Sequence, residues 1–208
     1  MKILEVKTLA IPEVKVIKYA RFNDERGYFT EIFRRSDFDN HPEISFFKNL
    51  QFLQTNESYS IKNVIRGLHF QWDPYMGKLV RPIRGHLIDL ALDIRKNSPN
   101  YGKIIAYDLP AQPEMNYSEW IWLPPGFAHG IFFSENTTIE YSCTSEYNPD
   151  CEVGISPLVP DIDWSICDPR LKNMFDEVKK NAIMSEKDKA GLTLTAWTQD
   201  ERSKNFLF

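Results

Sequence analysis

Long apolar runs are missing from this sequence. No stretch approaches the roughly 20 residues a helix needs to cross a bilayer. The first twenty residues, MKILEVKTLAIPEVKVIKYA, carry charges throughout instead of the continuous apolar segment of an export signal. A cytoplasmic protein with no membrane partner is therefore expected. Cysteine is scarce too: Cys143, Cys151 and Cys167 form an odd set without C-x-x-C spacing. That argues against a disulfide framework or a structural zinc site and leaves free thiols. Positive charge is not in excess, since 25 Lys and Arg against 29 Asp and Glu leave a net −4, so no nucleic-acid partner is expected. Repeats, low-complexity linkers and charge blocks are absent as well, and nothing marks a second domain boundary in 208 residues. One domain spanning 1–208 is the expectation.

What is present is aromatic and β-branched. Fourteen Phe, nine Tyr and five Trp suit a β-rich core or a site that stacks flat ligands. Short apolar runs such as VKVIKYARF, GYFTEIF, FFKNLQFLQTN, KLVRPIRGHLIDLALDI, GKIIAYDLP, EWIWLPP, HGIFFS and TTIEYSCTSEY recur between turn signals. Punctuation at Asn97-Ser98-Pro99-Asn100, Pro124-Pro125-Gly126 and Asn148-Pro149-Asp150 comes too often for long βαβ crossovers. The pattern predicts an all-β antiparallel sandwich or barrel with short peripheral helices. Helix signals are confined to SDFDNHPEI and to LKNMFDEVKKN, where Leu171, Met174, Phe175 and Val178 fall on one face. The tail beyond Pro160 reads as a polar, irregular cap. The apolar alternation of IPEVKVIKYARF fits either an ordinary edge strand or pairing across a two-fold axis.

Of four histidines, His69 in RGLHFQ and His129 in PPGFAHG keep unusual company. His41 and His86 do not, and they read as hydrogen-bonded structural residues. On a regular strand, Arg66 and Leu68 would face opposite to Gly67, His69 and Gln71, so bringing Arg66 and His69 to one pocket requires a bulge at Gly67. Lys78, nine residues after His69, fits a hairpin return to the same site. Gln71, two residues beyond His69, is not a second imidazole, and no Glu follows at metal-ligand spacing, so no metal site is expected. Tyr141 and Asp188 would, by themselves, pass for a core aromatic and a cap or surface carboxylate.

Taken in order, DERGYFTEIF, FLQTNES, RGLHFQ, KLVRPIRGHLIDLALDIRKNSPNYG, WLPPGFAHG and YSCTSEYNP resemble the dTDP-4-dehydrorhamnose 3,5-epimerase family from about residue 20 to residue 156. MSEKD, further on, looks like the family's Leu-Ser-x-Lys-Asp segment. Residues 157–208 otherwise follow the pattern poorly, which makes them a divergent C-terminal cap. Between His69 and Lys78 the chain is one residue shorter than the family pattern, and Met76 stands where a Gln is common. SPLVPD replaces a Trp-Asn-Asp stretch, and 165–183 is an insertion before Asp188.

The resemblance implies a cupin-type jelly roll, a homodimer, and action without a metal or other cofactor on a nucleotide-diphosphate 4-keto-6-deoxy sugar. By the same resemblance, His69 is the base, Asp188 its carboxylate partner, Tyr141 the acid and Lys78 the group at the ketone oxygen. Arg26 and Arg66, assisted by Lys187, would contact the diphosphate. Phe29 and Tyr147 would flank the nucleoside base, Glu31, Gln54 and Asn56 would bind it by polar contacts, and His129 would line the pocket. Three other readings stay open. They are a mono-epimerase acting at carbon 3 or carbon 5 of a CDP- or GDP-linked sugar, an inactive sugar-nucleotide-binding cupin, and a metal-dependent cupin.

Overall fold

The computed structural model describes all residues, 1–208. The chain opens with β1 (Ile3–Thr8), β2 (Lys15–Ala20) and a small hairpin of β3 (Phe22–Asp24) and β4 (Gly27–Phe29). Helix α1 (Arg35–Asn40) and a 3-10 turn over Pro42–Phe47 lead into β5 (Gln54–Ser60) and β6 (Ile65–Gln71). There follow β7 (Lys78–Asp93), β8 (Ile104–Ala111), β9 (Tyr117–Leu123), β10 (Phe127–Phe132), β11 (Thr137–Cys143) and β12 (Glu152–Gly154). Three helices close the chain: α2 (Pro169–Lys179), α3 (Glu186–Lys189) and α4 (Leu194–Gln199).

All strand pairing is antiparallel, and β7 is the hub. Its first residues pair with β9 and β11, extending a sheet ordered β1-β2-β9-β7-β11-β5. Its second half pairs with β8 and β10, in a sheet ordered β8-β7-β10-β6-β12. Between the halves, Gly85 takes φ +94, and a Cβ there would meet the Asn136 carbonyl oxygen at 2.6 Å. A glycine is what lets β7 pass from one sheet to the other. The result is the jelly roll that alternation and turn spacing anticipate.

Side-chain parity along β7 explains why its sequence is apolar on both faces. Leu87 and Ala91 point between the sheets, among Val80, Ile121, Phe127, Ile131 and Ile139. Ile88, Leu90 and Leu92 point the other way, yet they too are buried, under Ile162, Leu171, Phe175, Trp197 and Phe206 of the C-terminal segment. The other sheet is covered in the same manner, with Phe38, Ile44 and Phe47 lying on Ile17, Tyr19, Leu79, Trp120 and Trp122. The tail beyond Pro160 is thus less polar in effect than its composition implies: a few bulky residues at irregular spacing seal one sheet. Phe175 on α2 is 2% exposed and packs edge-on against Phe132, with ring centroids 5.5 Å apart. Phe175→Ala should destabilise the protein by about 3–5 kcal/mol, read as a lower urea midpoint with an unchanged slope.

Two local expectations are corrected by the topology. The β6–β7 connection is not a hairpin: β10 lies between β6 and the second half of β7, and Lys78 belongs to the opposite sheet. The segment between them crosses from one sheet to the other instead of folding back. The alternating N-terminal stretch is no edge strand either, because β2 is flanked by β1 and β9 and the edge is β1.

Candidate active site

The functional side chains converge through strand parity. On β11, Ile139, Tyr141 and Cys143 point inward, and opposite them on β5 stand Ser58, Asn56 and Gln54. Lys78 opens β7 with the inward parity of Val80. His129 on β10 shares the inward parity of Phe127 and Ile131. His69 lies directly across from His129, whereas Arg66 lies across from Ile131. Three residues of β6 thus span two of β10, and the extra one sits at Gly67, which takes φ +104. A Cβ on Gly67 would stand 2.6 Å from the Gly130 Cα and from the His129 carbonyl oxygen, so the close approach depends on glycine. The bulge puts Arg66 and His69 on one face, as a shared pocket requires.

Two chambers meet at His69, Lys78 and Tyr141. One, of about 520 Å³, also takes in Arg66, His129, Met184, Lys187 and Asp188. The other, of about 350 Å³, takes in Gln54, Asn56, Met76, Cys143, Tyr147 and Glu152. Ten of the thirteen residues expected at the site line these chambers. Arg26, Phe29 and Glu31 do not. Arg26 sits on the turn of the β3–β4 hairpin, its side chain 85% exposed and paired with Asp24 at 2.6 Å. Phe29 is 69% exposed, and Glu31 is bound by the N-terminal amine and by Arg34. A larger cleft of about 740 Å³ lies outside the barrel, lined by Ile32, Phe33, Phe52 and Trp120, and contains no histidine. The geometry of proton transfer belongs to the smaller chambers.

His69 Nε2 lies 2.6 Å from Asp188 Oδ1. Asp188 reaches this point from α3, a four-residue helix capped by Ser185, whose Oγ accepts from the Asp188 backbone N–H at 3.1 Å. Burial pushes the Asp188 carboxyl up, but the His69 contact, the Ser185 hydroxyl and the Gly67 N–H together hold it below the ordinary carboxylate range. A carboxyl whose proton affinity is lower in the fold than in the open chain stabilises the fold fully above the unfolded carboxyl value near 3.9. That contribution disappears as pH falls through the folded value. Asp188→Asn should therefore weaken the protein less at pH 3 than at pH 7, which urea titrations at the two pH values would check.

Around this pair the other groups are tuned by burial. The Tyr141 phenol is pushed above its ordinary value and stays protonated at neutral pH. Burial pulls Lys78 down, opposed by Cys143, Glu152 and Asp89 nearby. A second pair, His129 Nε2 with Asp89 Oδ2 at 2.7 Å, lies deeper. Burial lowers His129 and raises Asp89, so both neutral forms are favoured. Two members of the site escape sequence reading. Asp89 had a signal, an acid inside the apolar run LIDLALD. Glu152 had none: its Oε1 stands 3.9 Å from His69 Nδ1, while its other oxygen takes Lys187 and the Tyr147 hydroxyl. His41 and His86 are structural, one accepting from the Glu43 N–H and the other paired with Asp108. No group of three or more His, Cys, Asp or Glu side chains stands in metal-holding geometry.

A jelly roll that encloses an imidazole–carboxylate pair, a protonated phenol and a buried amine defines a cupin-type proton-transfer enzyme. The family model for dTDP-4-dehydrorhamnose 3,5-epimerase matches residues 8–196. The dTDP-4-dehydrorhamnose 3,5-epimerase of Methanothermobacter thermautotrophicus is 39% identical over 178 residues, covering 84% of this chain and 85% of that one. Among solved structures, the 3,5-epimerase RmlC of Legionella pneumophila, in complex with dTDP-4-keto-L-rhamnose, superposes with a TM-score of 0.78. It is 30% identical and covers 98% of this chain and 97% of its own. The 3,5-epimerase of Sulfolobus tokodaii gives a TM-score of 0.74 at 35% identity, covering 94% of this chain and 97% of its own. The chain belongs to the dTDP-4-dehydrorhamnose 3,5-epimerase family and is an isomerase.

Proposed function

We propose that this protein inverts carbon 3 and carbon 5 of a dTDP-linked 4-keto-6-deoxyhexose, a soluble substrate met in the cytoplasm. The observation that carries the reading is the His69–Asp188 contact of 2.6 Å inside a cavity shared with Tyr141 and Lys78. A proton beside a ketone is weakly acidic, so its removal needs a placed base and a partner for the charge that grows on oxygen. Asp188 takes the Nε2–H and leaves the Nδ1 lone pair of His69 for the substrate. The proton moves to Nδ1, the C–H electron pair forms the carbon–carbon double bond of the enolate, and the ketone oxygen takes the negative charge. Lys78 meets that oxygen, and its lowered proton affinity rises again beside an anion. Tyr141 delivers its phenol proton to the opposite face, and both groups then exchange protons with water. Repeating the cycle at the second flanking carbon gives double inversion.

Arg66 and Lys187, on the wall of the larger chamber, suit the diphosphate. Tyr147, Gln54 and Asn56 suit the nucleoside base. Arg26, Phe29 and Glu31 complete the site only if a second copy of the chain supplies them, and this supports a homodimer. The exposed aromatics of the β3–β4 hairpin, Phe22, Tyr28 and Phe29, and the apolar outer cleft fit such an interface. We read 1–208 as one unit with 157–208 as its divergent cap. Product analysis tests the function: incubation with dTDP-4-keto-6-deoxy-D-glucose should yield the L-configured 4-keto sugar. A product inverted at one carbon would cut the reading back to a mono-epimerase, and unchanged substrate alongside tight dTDP binding would replace it with an inactive binding protein. Arg26→Ala should raise KM by about tenfold, the weight of one charge-assisted contact of roughly 1.5 kcal/mol, with kcat unchanged.

A further inference from the structure

Strand β12 lies against β6 with Gly154 directly opposite His69. The neighbouring residues, Leu68 and Ile155, exchange both backbone hydrogen bonds at 2.9 Å. His69 and Gly154 therefore form a pair without hydrogen bonds, the kind in which facing side chains come closest. At this position β12 has no side chain to offer. A methyl on Gly154 would stand 3.1 Å from His69 Cδ2, 3.3 Å from the Leu68 carbonyl oxygen and 3.8 Å from His69 Nε2. That is closer than most carbon contacts, so the ring would have to give by a few tenths of an ångström. It has little freedom to do so, because Nε2 is held on Asp188 at 2.6 Å and Asp188 is itself fixed through Ser185. Two residues earlier on the same face of β12, Glu152 stands beside the other ring nitrogen. One short strand thus sets the surroundings of both nitrogens.

We propose that Gly154 is a positioning residue for the epimerisation: the bare backbone opposite His69 lets the imidazole settle against β12 with Nε2 on Asp188 and Nδ1 free for the substrate. The inference rests on the reading of His69 as the base. Gly154 does not occupy the left-handed region, so alanine adds a methyl without backbone strain.

Gly154→Ala should lower kcat for solvent exchange at carbon 3 and carbon 5 by about 10- to 100-fold, the cost of misplacing a reacting group by a fraction of an ångström to an ångström. KM and dTDP affinity should be unchanged. If the loss runs through the His69–Asp188 contact, adding Gly154→Ala to Asp188→Asn should cost little more. Wild-type kcat in Gly154→Ala, or losses that multiply in the double variant, would overturn the proposal. A second cycle needs no activity and covers poor folding of the single variant. The fall in melting temperature caused by Gly154→Ala should vanish in a His69→Ala background, where the ring is gone. An equal fall in both backgrounds would place the clash on the Leu68 carbonyl and overturn the proposal as well. A wild-type protein that exchanges no sugar proton would refute the epimerase reading, and the melting cycle would still decide whether the ring rests on Gly154.

Discussion

His69→Ala should reduce proton exchange at carbon 3 and carbon 5 together, by about 10²- to 10⁴-fold, the range that one placed general base contributes. Affinity for dTDP should survive, because none of the groups suited to the nucleotide, Arg66, Lys187, Tyr147, Gln54 and Asn56, hydrogen-bonds to the imidazole. The joint loss is the telling part. One base at the meeting point of two chambers must serve both carbons, so exchange retained at either would require a second base. The nearest other imidazole, His129, is committed to Asp89 at 2.7 Å. Exchange followed by NMR in heavy water, with dTDP affinity from calorimetry, separates chemistry from binding.

Tyr141→Phe should divide the reaction instead of stopping it. In the proposed mechanism the phenol carries the returning proton and takes no part in the first abstraction. Exchange in heavy water should therefore persist within about tenfold, while net inversion falls by 10²-fold or more, the weight of a placed acid. Packing should hardly change, since Tyr141 flanks the interior cluster and phenylalanine keeps the ring. Burial holds the phenol above its ordinary value, so the acid keeps its proton at neutral pH, and its loss should show only as a fall in activity on the alkaline limb, beyond the ordinary phenol value. Equal losses of exchange and inversion would assign the phenol some other task, such as holding the enolate oxygen beside Lys78.

How much of this was legible in the chain depends on the distance over which each feature is decided. Alternation and turn punctuation are local, and they disclosed the strands and the antiparallel architecture. The need for a bulge at Gly67 was legible as well, because strict alternation separates Arg66 from His69. Its occurrence was not, since it depends on Gly130, a residue far along the chain that offers no side chain to the approaching strand. The path of Lys78 misled for the same reason: a nine-residue offset fits a hairpin, and only the sheet order reveals a crossing between sheets. Glu152 acts through a three-residue strand that carries no pattern of its own. Arg26, Phe29 and Glu31 were readable only through family resemblance, and a single chain does not bring them to the cavity. The alignment of His69, Tyr141, Lys78 and Asp188 in one cavity is where local parity and family pattern agree.

The measurement closest to the central claim is proton NMR of the purified protein with dTDP-4-keto-6-deoxy-D-glucose in heavy water. The carbon-3 and carbon-5 proton signals should both disappear at catalytic protein concentrations, with the L-configured 4-keto sugar accumulating. If both signals persist while dTDP binds tightly, the His69–Asp188 pair is not an epimerase base and the account is wrong.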